Sequence, residues 1–169
     1  MSETNYPKKN KKLKKLKIDS KFRNILEILQ QDCRLSIRDI AKKLGMKPTS
    51  VYNRIKKLEN YGVIKKYAAI ISREKLGYNV LALVLVSYKK GELSQKSLAE
   101  KLSKFPQIQD VFIVSGEWDL VLKIVEKDVN SLGDFVTERL RKIPEIDKTQ
   151  TMIVLSEIKN SLEIPIKRE

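Results

Sequence analysis

Histidine is absent from this chain, and that absence removes the commonest general base and the commonest metal ligand. Cysteine occurs once, as Cys33, so no disulfide within the chain is available and no paired-cysteine metal spacing exists. A lone cysteine without a histidine partner is expected to act as a small buried hydrophobe. Glycine occurs only six times, and no glycine-rich phosphate loop, dinucleotide fingerprint or nucleophile elbow can be assembled from these positions. No apolar run is long enough to span a bilayer, and the basic start is not followed by the apolar segment of a secretory signal. The expectations are therefore a protein without a catalytic role or a cofactor, in a reducing, cytoplasmic location.

What is present is positive charge, unevenly placed. The 169 residues carry a formal net charge of +14. Residues 1–67 hold 19 Lys/Arg against 6 Asp/Glu, a net of +13, while residues 68–169 hold 16 against 15, a net of +1. Basicity confined to one half points to a polyanion as the partner of that half. An anionic membrane surface is the rival, but no basic amphipathic helix with aromatic anchors accompanies the charge.

Within the basic half, residues 36–62 organise the chain. Ile37, Ile40, Ala41 and Leu44 recur at helical spacing, with Ser36 as a cap and Asp39 three residues on. Gly45 is expected to end that helix in a left-handed conformation. Pro48 stands near the start of a second helix whose buried stripe is Val51, Ile55 and Leu58. Its other face carries Thr49, Ser50, Asn53, Arg54 and Lys57, the hydroxyls, amide and cations that meet base edges and phosphates. This is the pattern of a helix-turn-helix with its second helix in the major groove of double-stranded DNA. Arg54 and Asn53 are the expected base contacts. Thr49 and Ser50 fit bases or phosphate, Lys57 fits phosphate, and Lys47 and Arg34 are further candidates beside the motif. The alternative is a helical hairpin with a solvated polar face.

Around the motif, residues 1–17 form a lysine-rich tail expected to be disordered and able to lie along phosphates. Asp19 to Gln31 reads as a helix completing a three-helix unit over 18–62. After Gly62 the period changes to two, so Val63–Ser72 is expected as a strand in a hinge over 63–77. A second domain follows over 78–160. Strands are expected at Val80–Tyr88, Ile108–Ser115, Leu120–Glu126 and Ile146–Ile158, with helices at Leu93–Phe105 and Val129–Lys142. A faint repeat, Leu102-Ser-Lys-Phe-Pro-Gln-Ile108 against Leu140-Arg-Lys-Ile-Pro-Glu-Ile146, supports β-α-β-β-α-β order. Two copies of a split β-α-β unit give a ferredoxin-like sandwich, so the fold class is α+β: a helix-turn-helix domain, a hinge and a βαββαβ domain. The apolar central strands leave a sheet face for a second copy of the chain to cover. Residues 161–169 are a C-terminal tail.

These features together resemble the Lrp/AsnC family of transcription regulators over about residues 18–158. The resemblance rests on Ile25-Leu-Glu-Ile-Leu-Gln30 with Cys33-Arg-Leu-Ser36, on Ile40-Ala-Lys-Lys-Leu-Gly45, on Val51-Tyr-Asn-Arg-Ile-Lys-Lys-Leu-Glu59 and on Gly62-Val-Ile64. It continues in Leu76-Gly77, Ser115-Gly-Glu-Trp-Asp-Leu120 and Thr149-Gln-Thr151 with Ile153-Val-Leu155. It implies a homodimer that assembles further, for example into octamers, binding pseudo-palindromic promoter sites under the control of an amino acid effector. The effector is implied at Gly116, Glu117, Trp118 and Asp119, with Thr149 and Thr151 nearby. A zwitterion needs donors for its carboxylate and an acceptor such as Asp119 for its ammonium; a plain hairpin turn is the alternative use of Gly116–Asp119. The chain departs from the family at Phe22, where a second Asp is frequent, at Lys47, where Ser is usual before the recognition helix, and in the length of its basic tail. With Lys47 there, either Thr49 caps that helix or the helix starts differently. Two rival functions are an architectural DNA-coating protein and a metabolite-sensing subunit of an enzyme.

Overall fold

The computed structural model describes residues 16–166. The described residues divide into two compact units, 16–69 with 160–166, and 70–159. The basic tail falls outside the described residues as far as residue 15.

The first unit is three helices, α1 (Ser20–Gln31), α2 (Ile37–Leu44) and α3 (Pro48–Asn60). Each start has a distinct local cause. Asp19 caps α1, its carboxylate accepting the Phe22 N–H at 2.9 Å. Ser36 caps α2 by accepting from Asp39 N–H at 3.2 Å, and its hydroxyl donates back to the Asp39 carboxylate at 2.6 Å. At the start of α3, Lys47 occupies the cap position without a side-chain hydrogen bond and Pro48 takes the first turn, so Thr49 does not cap. Gly45 ends α2 with φ 60°, and the Met46 N–H returns to the Ala41 carbonyl at 2.9 Å. Phe22, Ile25, Ile40, Ala41, Val51, Ile55 and Leu58 form the shared core.

Two expectations for this unit change. Cys33 is exposed, because α1 stops at Gln31 and leaves it in the turn toward α2. Residues 160–166 rejoin the first unit: the Gln30 side-chain amide donates to the Ile164 carbonyl at 3.1 Å and accepts its N–H at 2.8 Å. The C-terminal tail is thus tied to α1.

The strand expected over 63–72 is not formed. The residues run without a ladder partner among the described residues, and alternating polarity alone does not make a strand without paired backbone groups.

The second unit is β1 (Val80–Tyr88), α4 (Gln95–Leu102), β2 (Ile108–Ile113), β3 (Leu120–Glu126), α5 (Val129–Asp134) and β4 (Ile146–Ile153). Past Asp134, α5 continues as a wider π-wound turn, Phe135–Leu140. The order in the sheet is β2-β3-β1-β4, antiparallel throughout, with Val84 opposite both Leu122 and Thr151. This is the expected βαββαβ sandwich. Expected bounds shorten where side chains take over the backbone. Ser94 caps α4 and starts it after Leu93, and β4 ends at Ile153, leaving Leu155 and Ile158 exposed.

Val80, Ala82, Val84 and Val86 alternate along β1 and meet Leu98, Leu102, Leu132, Phe135 and Leu140 of the helical layer. The other sheet face carries Leu83, Leu85 and Val121, half-buried, with Phe112 and Met152 exposed.

Candidate DNA-binding face and candidate ligand site

Helix α3 buries Val51, Ile55 and Leu58 on one side. The ridge opposite that stripe holds Thr49, Tyr52, Asn53 and Lys56, at i, i+3, i+4 and i+7. Thr49, Asn53 and Lys57 are exposed, and their side chains make no hydrogen bond or ion pair among the described residues. Lys47 is exposed at the cap position, while Arg34 is exposed in the α1–α2 connection and so lies off α3.

Arg54 is placed differently. Its guanidinium carbon stands 5.2 Å over the Phe22 ring. One terminal nitrogen donates to Ser50 Oγ at 3.3 Å and the other lies 3.7 Å from the Asp19 carboxylate. Nε is buried without a partner. Arg54 is therefore engaged with α1 and Ser50 with Arg54, and reaching a guanine would require Arg54 to leave both its ion pair and its aromatic platform. Phe22, a departure from the family pattern, is that platform.

Tyr52, Lys56, Glu59 and Tyr67 form a chain of contacts that the sequence reading did not single out. Lys56 Nζ sits 5.9 Å over the Tyr52 ring and 2.7 Å from the Glu59 carboxylate. The Tyr67 hydroxyl donates to the other Glu59 oxygen at 3.1 Å. The Lys56 hydrogen bond holds Glu59 below the usual carboxylate range, and Glu59 in turn raises Lys56. Partial burial, followed by the bond to Glu59, pushes Tyr67 up to about 12. The i,i+3 spacing of Lys56 and Glu59 was legible; the aromatic ends were not, because Tyr67 lies in the segment expected to be a strand.

In the second unit the implied effector residues are only partly brought together. Gly116 and Glu117 are exposed in the β2–β3 connection, where Gly116 has φ 133°. Lys148 Nζ stands 5.1 Å over the Trp118 ring. Thr149 accepts from Arg141 Nε at 3.0 Å. Successive residues on β4 point to opposite faces, so Lys148 shares the side of Trp118 while Thr149 and Thr151, opposite buried Val86 and Val84, belong to the other. Asp119 is already used: its carboxylate accepts the Tyr88 N–H at 2.8 Å and the Gln95 amide at 3.3 Å. Lys148 and Arg141 are the cations sequence reasoning missed here. No cluster of possible metal ligands occurs among the described residues.

A three-helix unit presenting a polar helix face, followed by a βαββαβ unit, defines a helix-turn-helix DNA-binding transcription regulator. Residues 19–65 match the model of a winged helix-turn-helix DNA-binding domain, and residues 81–164 match that of the Lrp/AsnC ligand-binding domain. The chain belongs to the Lrp/AsnC family. It is 39% identical over 150 residues to the HTH-type transcriptional regulator FL11 of Pyrococcus furiosus, covering 89% of this chain and 97% of that one. It is 36% identical over 152 residues to the transcriptional regulator AzlB of Bacillus subtilis, covering 88% and 96%. Among solved structures, the transcriptional regulator NMB0573 of Neisseria meningitidis, in complex with L-Met, superposes with a TM-score of 0.83 at 28% identity over 87% of this chain and 96% of that one. Escherichia coli AsnC superposes with a TM-score of 0.81 at 25% identity over 88% and 99%. No described helix is long and apolar enough to cross a membrane.

Proposed function

We propose that this regulator binds pseudo-palindromic promoter sites as a homodimer or higher assembly, and that an amino acid bound in the second unit alters that binding. The observation carrying the DNA reading is the uncommitted face of α3, where Thr49, Asn53 and Lys57 stand exposed opposite the buried stripe. Asn53 pairs with adenine, Thr49 contacts a base or phosphate, and Lys57, Lys47 and Arg34 contact phosphates. Arg54 ties α3 to α1 and holds Ser50, and it is available to DNA only when its ion pair opens. The half-exposed apolar sheet face with Phe112 and Met152 is where a second copy packs, placing two recognition helices on half-sites about 34 Å apart or a multiple of that. For the effector, the ligand-binding domain match and the L-Met bound by the Neisseria relative favour an amino acid. Lys148 supplies a cation for its carboxylate beside Trp118 and Gly116–Glu117. Asp119 first holds the connection in shape, and Thr149 and Thr151 border the opposite side.

The test is a nuclease footprint on the DNA upstream of its own gene, with and without a pool of amino acids. Discrete protections repeating at about one helical turn, altered by the pool, are expected. Uniform coating of that DNA and of random DNA would overturn the sequence-specific reading.

A further inference from the structure

Tyr52 is a large aromatic residue on a helix face otherwise polar, and the core does not use it: 47% of its surface is exposed. It is the fifth residue of α3, within the half of a recognition helix that meets base edges, and it shares the outward ridge with Thr49 and Asn53. It is also held. Lys56 stands over one face of the ring; Glu59 holds Lys56 and Tyr67 holds Glu59, so the ring is positioned before any DNA arrives. The Lys56 charge is compensated by Glu59, which makes it a support for the ring rather than a phosphate clamp. The largest cation on the helix surface, Arg54, is turned toward Phe22 and Asp19. What remains on the ridge is an apolar ring with one open side. In the major groove the apolar feature of a base pair is the thymine 5-methyl group.

We propose that Tyr52 is a specificity-determining residue that packs its ring on a thymine methyl group in each half-site, with Lys56 and Glu59 as positioning residues. This rests on the reading of α3 as the recognition helix.

The experiment selects preferred duplexes from random sequence with the full-length protein, then replaces each thymine in turn with deoxyuridine, which deletes only the methyl group. The wild type should lose about three- to fivefold in affinity at one thymine per half-site, the size expected for one methyl withdrawn from its apolar contact. Tyr52→Ala should weaken binding by a similar factor and become indifferent to the substitution at that thymine while keeping sensitivity elsewhere. Tyr52→Phe should behave as wild type, since the ring face is retained. Tyr52 lies outside the core, and an unchanged melting temperature confirms that each variant is folded. A Tyr52→Ala protein that still loses affinity at every thymine the wild type senses overturns the proposal, with sequence-specific binding left standing. Equal loss by Tyr52→Phe on selected and random DNA also overturns it, because the hydroxyl on a phosphate would then be the contact. A wild type without a preferred duplex overturns both this proposal and the sequence-specific reading beneath it.

Discussion

The two units solve the problem of presenting a surface in opposite ways. The helical unit puts most of its candidate residues along one 13-residue helix, with Arg34 and Lys47 outside it, and a single buried stripe fixes which of them point outward. The sheet unit gathers its candidates from the β2–β3 connection, β4 and the end of the helical layer, and alternation along β4 separates neighbours onto different faces. In the first case one period decides the site; in the second the pairing register decides it. The helical face is also open, whereas in the sheet unit Asp119 and Thr149 already hold internal partners.

The largest expected effects break each unit in turn. Leu58→Ala and Leu122→Ala each remove a fully buried side chain and should cost about 2–5 kcal/mol in urea denaturation. Leu58→Ala should abolish DNA binding at temperatures where circular dichroism still reports an intact sheet. If Leu122→Ala weakened DNA binding while oligomerisation was unaffected, the separation of roles between the units would fail.

The next effects address single residues. Asn53→Ala should cost about 1–3 kcal/mol at one base position in competition binding, whereas Lys57→Ala should weaken all sequences alike and reduce the salt slope by about one. In the sheet unit, Asp119→Ala leaves the Tyr88 N–H and the Gln95 amide without an acceptor and should destabilise the ligand-free protein by about 1–3 kcal/mol. Unchanged ligand-free stability would return Asp119 to a purely ligand-binding role. Arg54→Ala should lower stability by about 1 kcal/mol, mainly through the lost Phe22 contact. Its affinity loss should be equal on specific and random DNA; a loss confined to one guanine would show that the Asp19 ion pair opens on binding.

The smallest effect concerns pH. Tyr67 is raised in the folded protein, so its contribution is fully present below about 10, its unfolded value, and is lost as pH rises through about 12. Ring resonances followed by NMR should titrate near 12 in the wild type and lower in Glu59→Gln.

The helix-turn-helix was legible because its signals are local. Ser36, Gly45 and Pro48 act on neighbouring backbone groups, and Val51, Ile55 and Leu58 follow one period. The βαββαβ order was legible for the same reason, each strand and helix carrying its own period. The misread positions depend on distant or missing partners. The 63–72 segment has a strand's pattern but no ladder, and Cys33 stands exposed in the turn after α1, where residue type alone suggested burial.

Sequence alone thus determined the three helices, the β-α-β-β-α-β order, the charge imbalance and the buried stripe of α3, since each follows from chain-local propensity and composition. Tertiary structure decided which of those residues are available. Arg54 turns to Phe22 and Asp19, Tyr52 is steadied through Lys56 and Glu59 by Tyr67, and Gln30 receives Ile164 from the far end of the chain. Ion pairs and ring contacts form between side chains that the fold brings within a few ångströms, and sequence separation carries no record of that distance.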